Sequence, residues 1–252
     1  MLQESFDRIL IVATAWAVLG AIVGSFLATL ILRWPEGRSP LRGRSVCDGC
    51  GNTIPARDLV PMLSFVMLRG RARCCGQKIY PLHPLVELGA ALIGIVSAVV
   101  LGEQAWQAAL FGWLLLALAL LDLRHFWLPD ALTAALAVAG LLLAFAVPFP
   151  RFFDRLIGMA AGYVCLALIG WLYRRLRGHD GLGGGDPKLL AGIGAWTGWA
   201  ALPAVLLIAA LLGLAAAVVT VFFGGPMTRQ TRLPLGTLLA IAAWPLLLWQ
   251  QY

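Results

Sequence analysis

Long apolar runs dictate what this chain can become. Eight stretches, spanning residues 9–32, 85–101, 106–121, 131–147, 156–173, 189–199, 202–223 and 235–249, carry almost no charge. A helix crossing a bilayer needs about 20 predominantly apolar residues, and most of these runs approach that length. Lipid offers the backbone no hydrogen bonds, so a spanning segment must be a helix or part of a closed barrel. No strand-like alternation of apolar and polar residues is present, which argues against a barrel. The expected fold is therefore all-α: a polytopic membrane bundle of about eight transmembrane helices. The sixth run is too short for a standard span, so seven spans is the alternative. Composition agrees, with 61% of the 252 residues hydrophobic and 12% charged. A soluble domain of this size has too little interior to hide that much apolar surface.

Scarce charge makes each charge informative. If the N-terminus faces away from the cytoplasm, the loops after the first, third, fifth and seventh runs lie inside. Sixteen of the nineteen basic residues then fall on the cytoplasmic side, leaving Arg8, Arg151 and Arg155 outside. Basic loops are retained on the cytoplasmic face. The net charge of +7 thus reads as topology and contact with anionic lipid, not as nucleic-acid binding. The first run is too long, and lacks the small-residue cleavage pattern, for a removable signal peptide. Glycine pairs four residues apart, Gly20/Gly24, Gly158/Gly162 and Gly194/Gly198, are expected to let helices pack closely.

Residues 33–84 form the one sizeable polar segment, a small cysteine-containing cytoplasmic domain between the first two helices. The chain divides into a first helix (1–32), this segment (33–84) and a membrane core (85–252). The segment holds Cys47, Cys50, Cys74 and Cys75. Cys47-Asp48-Gly49-Cys50-Gly51 has the spacing of half a zinc site, because a tight turn aims two thiolates at one centre. A metal would help so short a region to fold. The second half is irregular: Ala72 sits where a regular Cys-x-x-Cys would begin, and neighbouring cysteines seldom share one ion comfortably. Cys74, His83 and water are the alternatives for the fourth ligand beside Cys47, Cys50 and Cys75. A reducing cytoplasmic loop disfavours disulfides. Cys165, in an apolar run, reads as a small core residue.

Of the twelve acids, Glu4, Asp7, Glu103 and Asp154 fall in exterior segments, and Glu36, Asp48 and Asp58 in the polar segment. Glu87, Asp122, Asp130, Asp180 and Asp186 lie near cytoplasmic ends of spans. Asp130, after Leu128-Pro129, suits a helix N-cap. Asp122 lies in the last turn of a helix, where the macrodipole disfavours negative charge, so it is a functional candidate. Asp186 follows Gly181-Leu182-Gly183-Gly184-Gly185. It reads either as an N-cap preceding Pro187 or as a group brought into a crowded site by glycines that allow close approach. Both acids fall on the same side of the topology. Two facing carboxylates share one proton: the ionised one activates water and the protonated one polarises a scissile carbonyl.

With these residues in view, the chain resembles the type IV prepilin peptidases, aspartic membrane proteases of the Gly-x-Gly-Asp class. Gly183-Gly184-Gly185-Asp186-Pro187-Lys188-Leu189 is similar to the family's Gly-x-Gly-Asp-x-Lys-Leu segment. The segment from Asp122 to Asp130 resembles its first aspartate segment. Gly24-Ser25-Phe26-Leu27, Asp58-Leu59-Val60-Pro61, Tyr80-Pro81-Leu82-His83-Pro84-Leu85-Val86-Glu87 and Pro234-Leu235-Gly236 resemble further segments, in order and spacing. The resemblance implies a bacterial inner-membrane enzyme with catalytic Asp122 and Asp186, supported by Gly183, Gly185 and Lys188, the last tuning the second aspartate. It also implies cleavage of the leaders of prepilins or type II secretion pseudopilins, then methylation of the new N-terminal amine with S-adenosylmethionine. Ala72 replaces the first cysteine of the family's second pair, Cys75 matches the other, and Ala28 stands where Asn is common. No Gly-x-Gly-x-x-Gly follows a strand, so no Rossmann pocket for the methyl donor is indicated. The rivals are a presenilin-like protease, a proton-coupled transporter and a non-catalytic secretion scaffold.

Overall fold

The computed structural model describes residues 2–40, 43–47, 49–147, 149–179, 181–223 and 233–251. Arg42, Asp48, Asp180, Arg229 and Arg232, all used in the charge reading, lie outside them. Each apolar run becomes a helix: α1 (Leu2–Arg33), α3 (Leu82–Leu101), α4 (Ala105–His125), α5 (Asp130–Leu142), α6 (Phe152–Arg177), α7 (Asp186–Thr197), α8 (Leu202–Phe222) and α9 (Leu235–Gln251). A short α2 (Leu63–Met67) lies in the polar segment. Among the described residues the only β features are two isolated antiparallel bridges, Val46 to Thr53 and Arg71 to Lys78. Four helical stretches are long and apolar enough to cross a membrane: Asp7–Glu36, Leu82–His125, Phe152–Arg177 and Trp199–Phe222. The second contains α3 and α4, broken at Gly102, whose φ of 55° ends α3. On α8, Leu207, Leu211, Leu214, Val218 and Phe222 are all exposed, an apolar surface that suits a lipid solvent. This is a helical membrane protein.

The chain forms two compact units, and the boundary falls within α4 after Trp113. In the first unit α1 and α3 pack backbone to backbone. A Cβ on Gly24 would lie 2.6 Å from the Glu87 Cα, and one on Gly20 would strike the Ala90 carbonyl. The expected role of this glycine pair is thus realised. The Trp113 indole N–H donates to the Ala90 carbonyl at 2.9 Å, and its ring lies 6.1 Å from that of Trp16.

The second unit is built around α7. Every residue of α7 except Lys188 is buried, with α5, α6, α8 and α9 against it. At 12 residues it is about 18 Å long, too short to span, and its neighbours shield its ends. Gly158 of α6 and Gly194 of α7 meet carbonyl to backbone. The Trp196 indole N–H donates to the Leu136 carbonyl of α5 at 2.8 Å.

Arg155 departs from its expected place as an exterior loop charge. It lies in the first turn of α6 and is 1% exposed. Its guanidinium donates to the carbonyls of Pro150 and Gly140 at 2.9 Å, and of Ala195 at 3.3 Å. Gly140 and Ala195 belong to the last turns of α5 and α7, where the helix dipoles present negative ends and carbonyls lack partners. The cation is buried because these carbonyls hold it. Asp154 is likewise engaged, accepting the Trp199 indole N–H at 3.1 Å. Cys165 is half-buried rather than a core residue.

Candidate functional site

Asp122 and Asp186 are both in the second unit, both buried (5% and 6% exposed), and close enough to interact electrostatically. The Gly-x-Gly-Asp segment accounts for its own spacing. Asp186 Oδ2 accepts the Gly183 N–H at 3.0 Å. A Cβ on Gly183 would lie 2.9 Å from that oxygen, and one on Gly185 would lie 2.6 Å from the Leu128 Cβ, while Gly184 faces open space. A side chain at the third position would collide with Leu128 and one at the first would push the Asp186 oxygen from its place, whereas the middle position has room. Asp186 is the first residue of α7, Gly185 is the N-cap, and Pro187 follows as the second helical residue. Its carboxylate turns back to the glycine loop, so the capping reading does not hold. Asp130 is also a first helical residue, after the N-cap Pro129. Lys188 Nζ pairs with Asp130 Oδ1 at 2.6 Å. The lysine thus ties the start of α7 to the start of α5.

Asp122 sits one turn before the end of α4, and the unfavourable dipole there is offset by another helix. Its Oδ2 accepts the backbone N–H of Thr237 at 2.8 Å, in the first turn of α9. An N-terminus of a helix carries free N–H groups and a partial positive charge. A Cβ on Gly236 would lie 2.9 Å from Oδ2 and 3.0 Å from the Leu128 Cδ1. Leu128 therefore lies against both the glycine loop of Asp186 and the α9 turn that holds Asp122. The Thr237 hydroxyl is 3.2 Å from Asp122 Oδ2 and 2.8 Å from the Ala119 carbonyl. Sequence reading picked out Gly236 and missed Thr237. Its partner is 115 residues away, and the only signal was a hydroxyl residue following a Pro-Leu-Gly turn.

The cysteine segment builds a second constellation, within the first unit. Two turns repeat one geometry. The Cys47 N–H donates to the Asn52 carbonyl and the Gly51 N–H to the Cys47 carbonyl, both at 2.8 Å. Ala72, Gln77 and Gly76 repeat the pattern at the same distances. Gly51 and Gly76 take the left-handed φ, 72° and 70°, that each turn requires. Ala72 is thus the structural counterpart of Cys47, and Cys74 fills the vacancy. Cys47 Sγ lies 3.6 Å from Cys75 Sγ, and Cys50 Sγ lies 3.2 Å from Cys74 Sγ. All four sulfurs are within 4.8 Å of one another. Tetrahedral zinc, with bonds of about 2.3 Å, sets sulfurs about 3.8 Å apart, so the neighbouring cysteines do converge, contrary to the doubt that their adjacency raised. His83 is not in the group. Among the described residues this is the one cluster able to hold a metal ion. Backbone N–H groups of Cys50 and Gly49 lower the Cys47 thiol to about 7, whereas its thiol neighbours push Cys74 up to about 12. Four sulfurs this close cannot all ionise unless a cation joins them. Arg73 beside Cys74 makes a two-pronged pair with Asp58 at 3.0 Å and 3.1 Å. The guanidinium holds the Asp58 carboxyl below its ordinary range and fastens the second turn to the segment.

Comparison with known proteins agrees with this partition. A model of the bacterial peptidase A24 N-terminal domain matches residues 18–101, and one of the type IV leader peptidase family matches residues 109–218. The prepilin leader peptidase/N-methyltransferase of Aeromonas hydrophila is 41% identical over 208 residues, 82% of this chain and 71% of that protein. Proteins of the same description from Burkholderia pseudomallei (strain 1026b) and Pseudomonas putida are 38% and 35% identical. They cover 88% and 94% of this chain, and 81% and 90% of their own lengths. No solved structure matches the chain.

Proposed function

Because this chain belongs to the type IV leader peptidase family, we propose that it removes the leaders of type IV prepilins or type II secretion pseudopilins and methylates the amine so exposed. The observation that carries the proteolytic half is the buried pair Asp122 and Asp186 in electrostatic contact, each held by a backbone N–H. Two such carboxylates share one proton. The ionised one takes a proton from water as the oxygen attacks the scissile carbonyl carbon. The protonated one gives its proton to the carbonyl oxygen. On collapse the C–N bond breaks and the leaving nitrogen takes a proton from the pair.

Thr237 suits this exchange. A hydroxyl carries one donor and two acceptor positions. While Asp122 is ionised, Thr237 Oγ1 can donate to it. When Asp122 is protonated, Oγ1 can accept from it and donate to the Ala119 carbonyl instead. The hydroxyl therefore serves both states without moving a backbone atom, which favours it as a positioning residue. Gly183 and Gly185 keep the Asp186 loop close, and the Lys188–Asp130 pair holds the connection to α5.

The finer topology follows the basic residues: eight spans with a periplasmic N-terminus, a cytoplasmic cysteine domain at 33–84, and an active site on the cytoplasmic face of the inner membrane. The cysteine cluster suits a structural zinc ion held by Cys47, Cys50, Cys74 and Cys75, whose sulfur spacing fits that ion. S-adenosylmethionine, when bound, supplies a methyl group on a sulfonium that an amine nitrogen can take, the C–S electron pair staying on sulfur and the amine losing a proton.

The test is incubation of purified protein with a prepilin, with and without S-adenosylmethionine, followed by mass measurement. The expected product lacks its leader and, with the methyl donor present, gains the mass of one methyl group. An intact prepilin would overturn the peptidase reading, and a cleaved but unmethylated product would overturn the second activity.

A further inference from the structure

Asp122 and Asp186 reach the site on separate supports. Asp122 is held by the first turn of α9, through the Thr237 N–H, and Asp186 by the glycine loop before α7, through the Gly183 N–H. Each bond fixes one carboxylate to its own support, and neither fixes the two supports to each other. Two carboxylates share a proton only at close range, because their interaction falls with distance. We propose that the Leu128 side chain is the spacer that sets this separation, which makes it a positioning residue for leader cleavage. The proposal rests on the peptidase reading given above.

Leu128 is buried. Its Cβ faces Gly185, where an added Cβ would lie 2.6 Å away, and its Cδ1 faces Gly236, where an added Cβ would lie 3.0 Å away. Gly185 precedes Asp186 itself, and Gly236 precedes Thr237, whose N–H holds Asp122. The near end of one side chain thus abuts the support of Asp186, and the far end abuts the support of Asp122. Close-packed atoms resist approach steeply and lose their attraction across a small gap. The span of the leucine therefore limits movement of the two supports in both directions.

The chain spends backbone strain to deliver this residue. The Phe126 N–H donates to the carbonyl of Asp122 at 2.8 Å, so the turn that ends α4 starts from a catalytic residue. Phe126 takes φ 49°, a left-handed conformation costly for a residue with a side chain. Its own ring stays exposed, so the strained turn buries nothing of Phe126; two residues later it turns Leu128 inward. Pro129 favours extended backbone at the residue before it and is the N-cap of α5. The first residue of α5, Asp130, is then fastened to Lys188 of α7 at 2.6 Å. Leu128 thus sits on a short strap anchored at both ends, and strain kept in such a place marks a functional element.

The test is prepilin cleavage by the full-length protein in detergent, over a range of prepilin concentrations, with the unfolding temperature measured alongside. Leu128→Ala keeps the Cβ against Gly185 and removes the atoms that reach Gly236. We expect kcat to fall about tenfold or more, as a small misplacement of reacting groups predicts, with KM unchanged. Leu128→Met, which refills the space with an unbranched chain of similar volume, should restore most of the rate. The control is Leu136→Ala, which deletes a fully buried leucine of α5 packed against Gly192 of α7. It should lower the unfolding temperature at least as far and keep kcat near that of the wild type. Rate losses in Leu128→Ala and Leu136→Ala that track their losses of stability would make Leu128 ordinary packing and overturn the proposal. Wild-type kcat in Leu128→Ala, or no rescue by Leu128→Met, would overturn it as well. If Leu128→Ala does not fold, Leu128→Val decides: a lower kcat at unchanged KM supports the spacer, and an unchanged kcat overturns it. A wild-type protein that leaves prepilin intact refutes the peptidase reading itself, whereas these variants, set against an active wild type, bear on Leu128 alone.

Discussion

Replacing Thr237 by Val isolates one oxygen next to the reacting pair. Valine keeps the β-branched shape and the backbone N–H that donates to Asp122 at 2.8 Å, so α9 still starts where it does. What is lost is the hydroxyl lying 3.2 Å from Asp122 Oδ2 and 2.8 Å from the Ala119 carbonyl. A hydrogen bond to a charged group contributes about 1.5–3 kcal/mol. If it acts only while the proton moves, kcat should fall about 10- to 150-fold, since each 1.36 kcal/mol is tenfold in rate, with KM unchanged. Thr237→Ser should restore most of the rate. The assay is leader cleavage followed by mass or gel shift under saturating prepilin, with unfolding temperature measured alongside. Wild-type kcat in Thr237→Val would show that the backbone N–H alone holds Asp122. A matched loss of rate and of stability, not rescued by Ser, would reduce Thr237 to packing.

Asp122→Asn and Asp186→Asn should each abolish cleavage while leaving insertion and folding intact; near-normal cleavage by either removes that residue from the pair. In the glycine loop, Gly184→Ala should cleave normally, whereas Gly185→Ala, forced within 2.6 Å of the Leu128 Cβ, should lose most activity in the same assay. Metal analysis should find about one zinc per chain, the stoichiometry of a four-thiolate site. Cys74→Ser should lower it sharply, and retention of full zinc would exclude Cys74 as a ligand. Ala72→Cys with Cys74→Ser should recover binding, because residue 72 holds in its turn the place that Cys47 holds in the other.

The helices were legible because lipid-facing runs leave no ambiguity of period or burial: each of the eight apolar runs is a helix. Asp122 and Asp186 stood out because acids are few and one sat against a helix dipole. What relieves that clash, the N-terminus of α9, was invisible: the amide that does so carries no side-chain signature and lies 115 residues along. Lys188 was assigned to its neighbour in sequence, yet a long flexible side chain reaches the acid opposite, Asp130, 58 residues away. Cys74 looked out of place for a similar reason. Spacing rules describe one turn at a time, whereas convergence of four sulfurs depends on how two turns face each other. Arg155 was read only as an exterior charge, because nothing local reveals the main-chain carbonyls of Gly140, Phe149, Pro150 and Ala195 that it meets.

Arg155 also bears on how freely this end of the second unit can change over generations. Every oxygen it grips belongs to the main chain. The grip therefore makes no demand on which side chains stand at residues 140, 150 or 195, only on the path their backbone follows. What limits residue 140 is space and not the arginine, since a Cβ there would lie 2.6 Å from the Trp196 ring and 2.8 Å from the Ala195 carbonyl. The arginine itself has no latitude, since no other side chain offers donors in a planar fork of that reach.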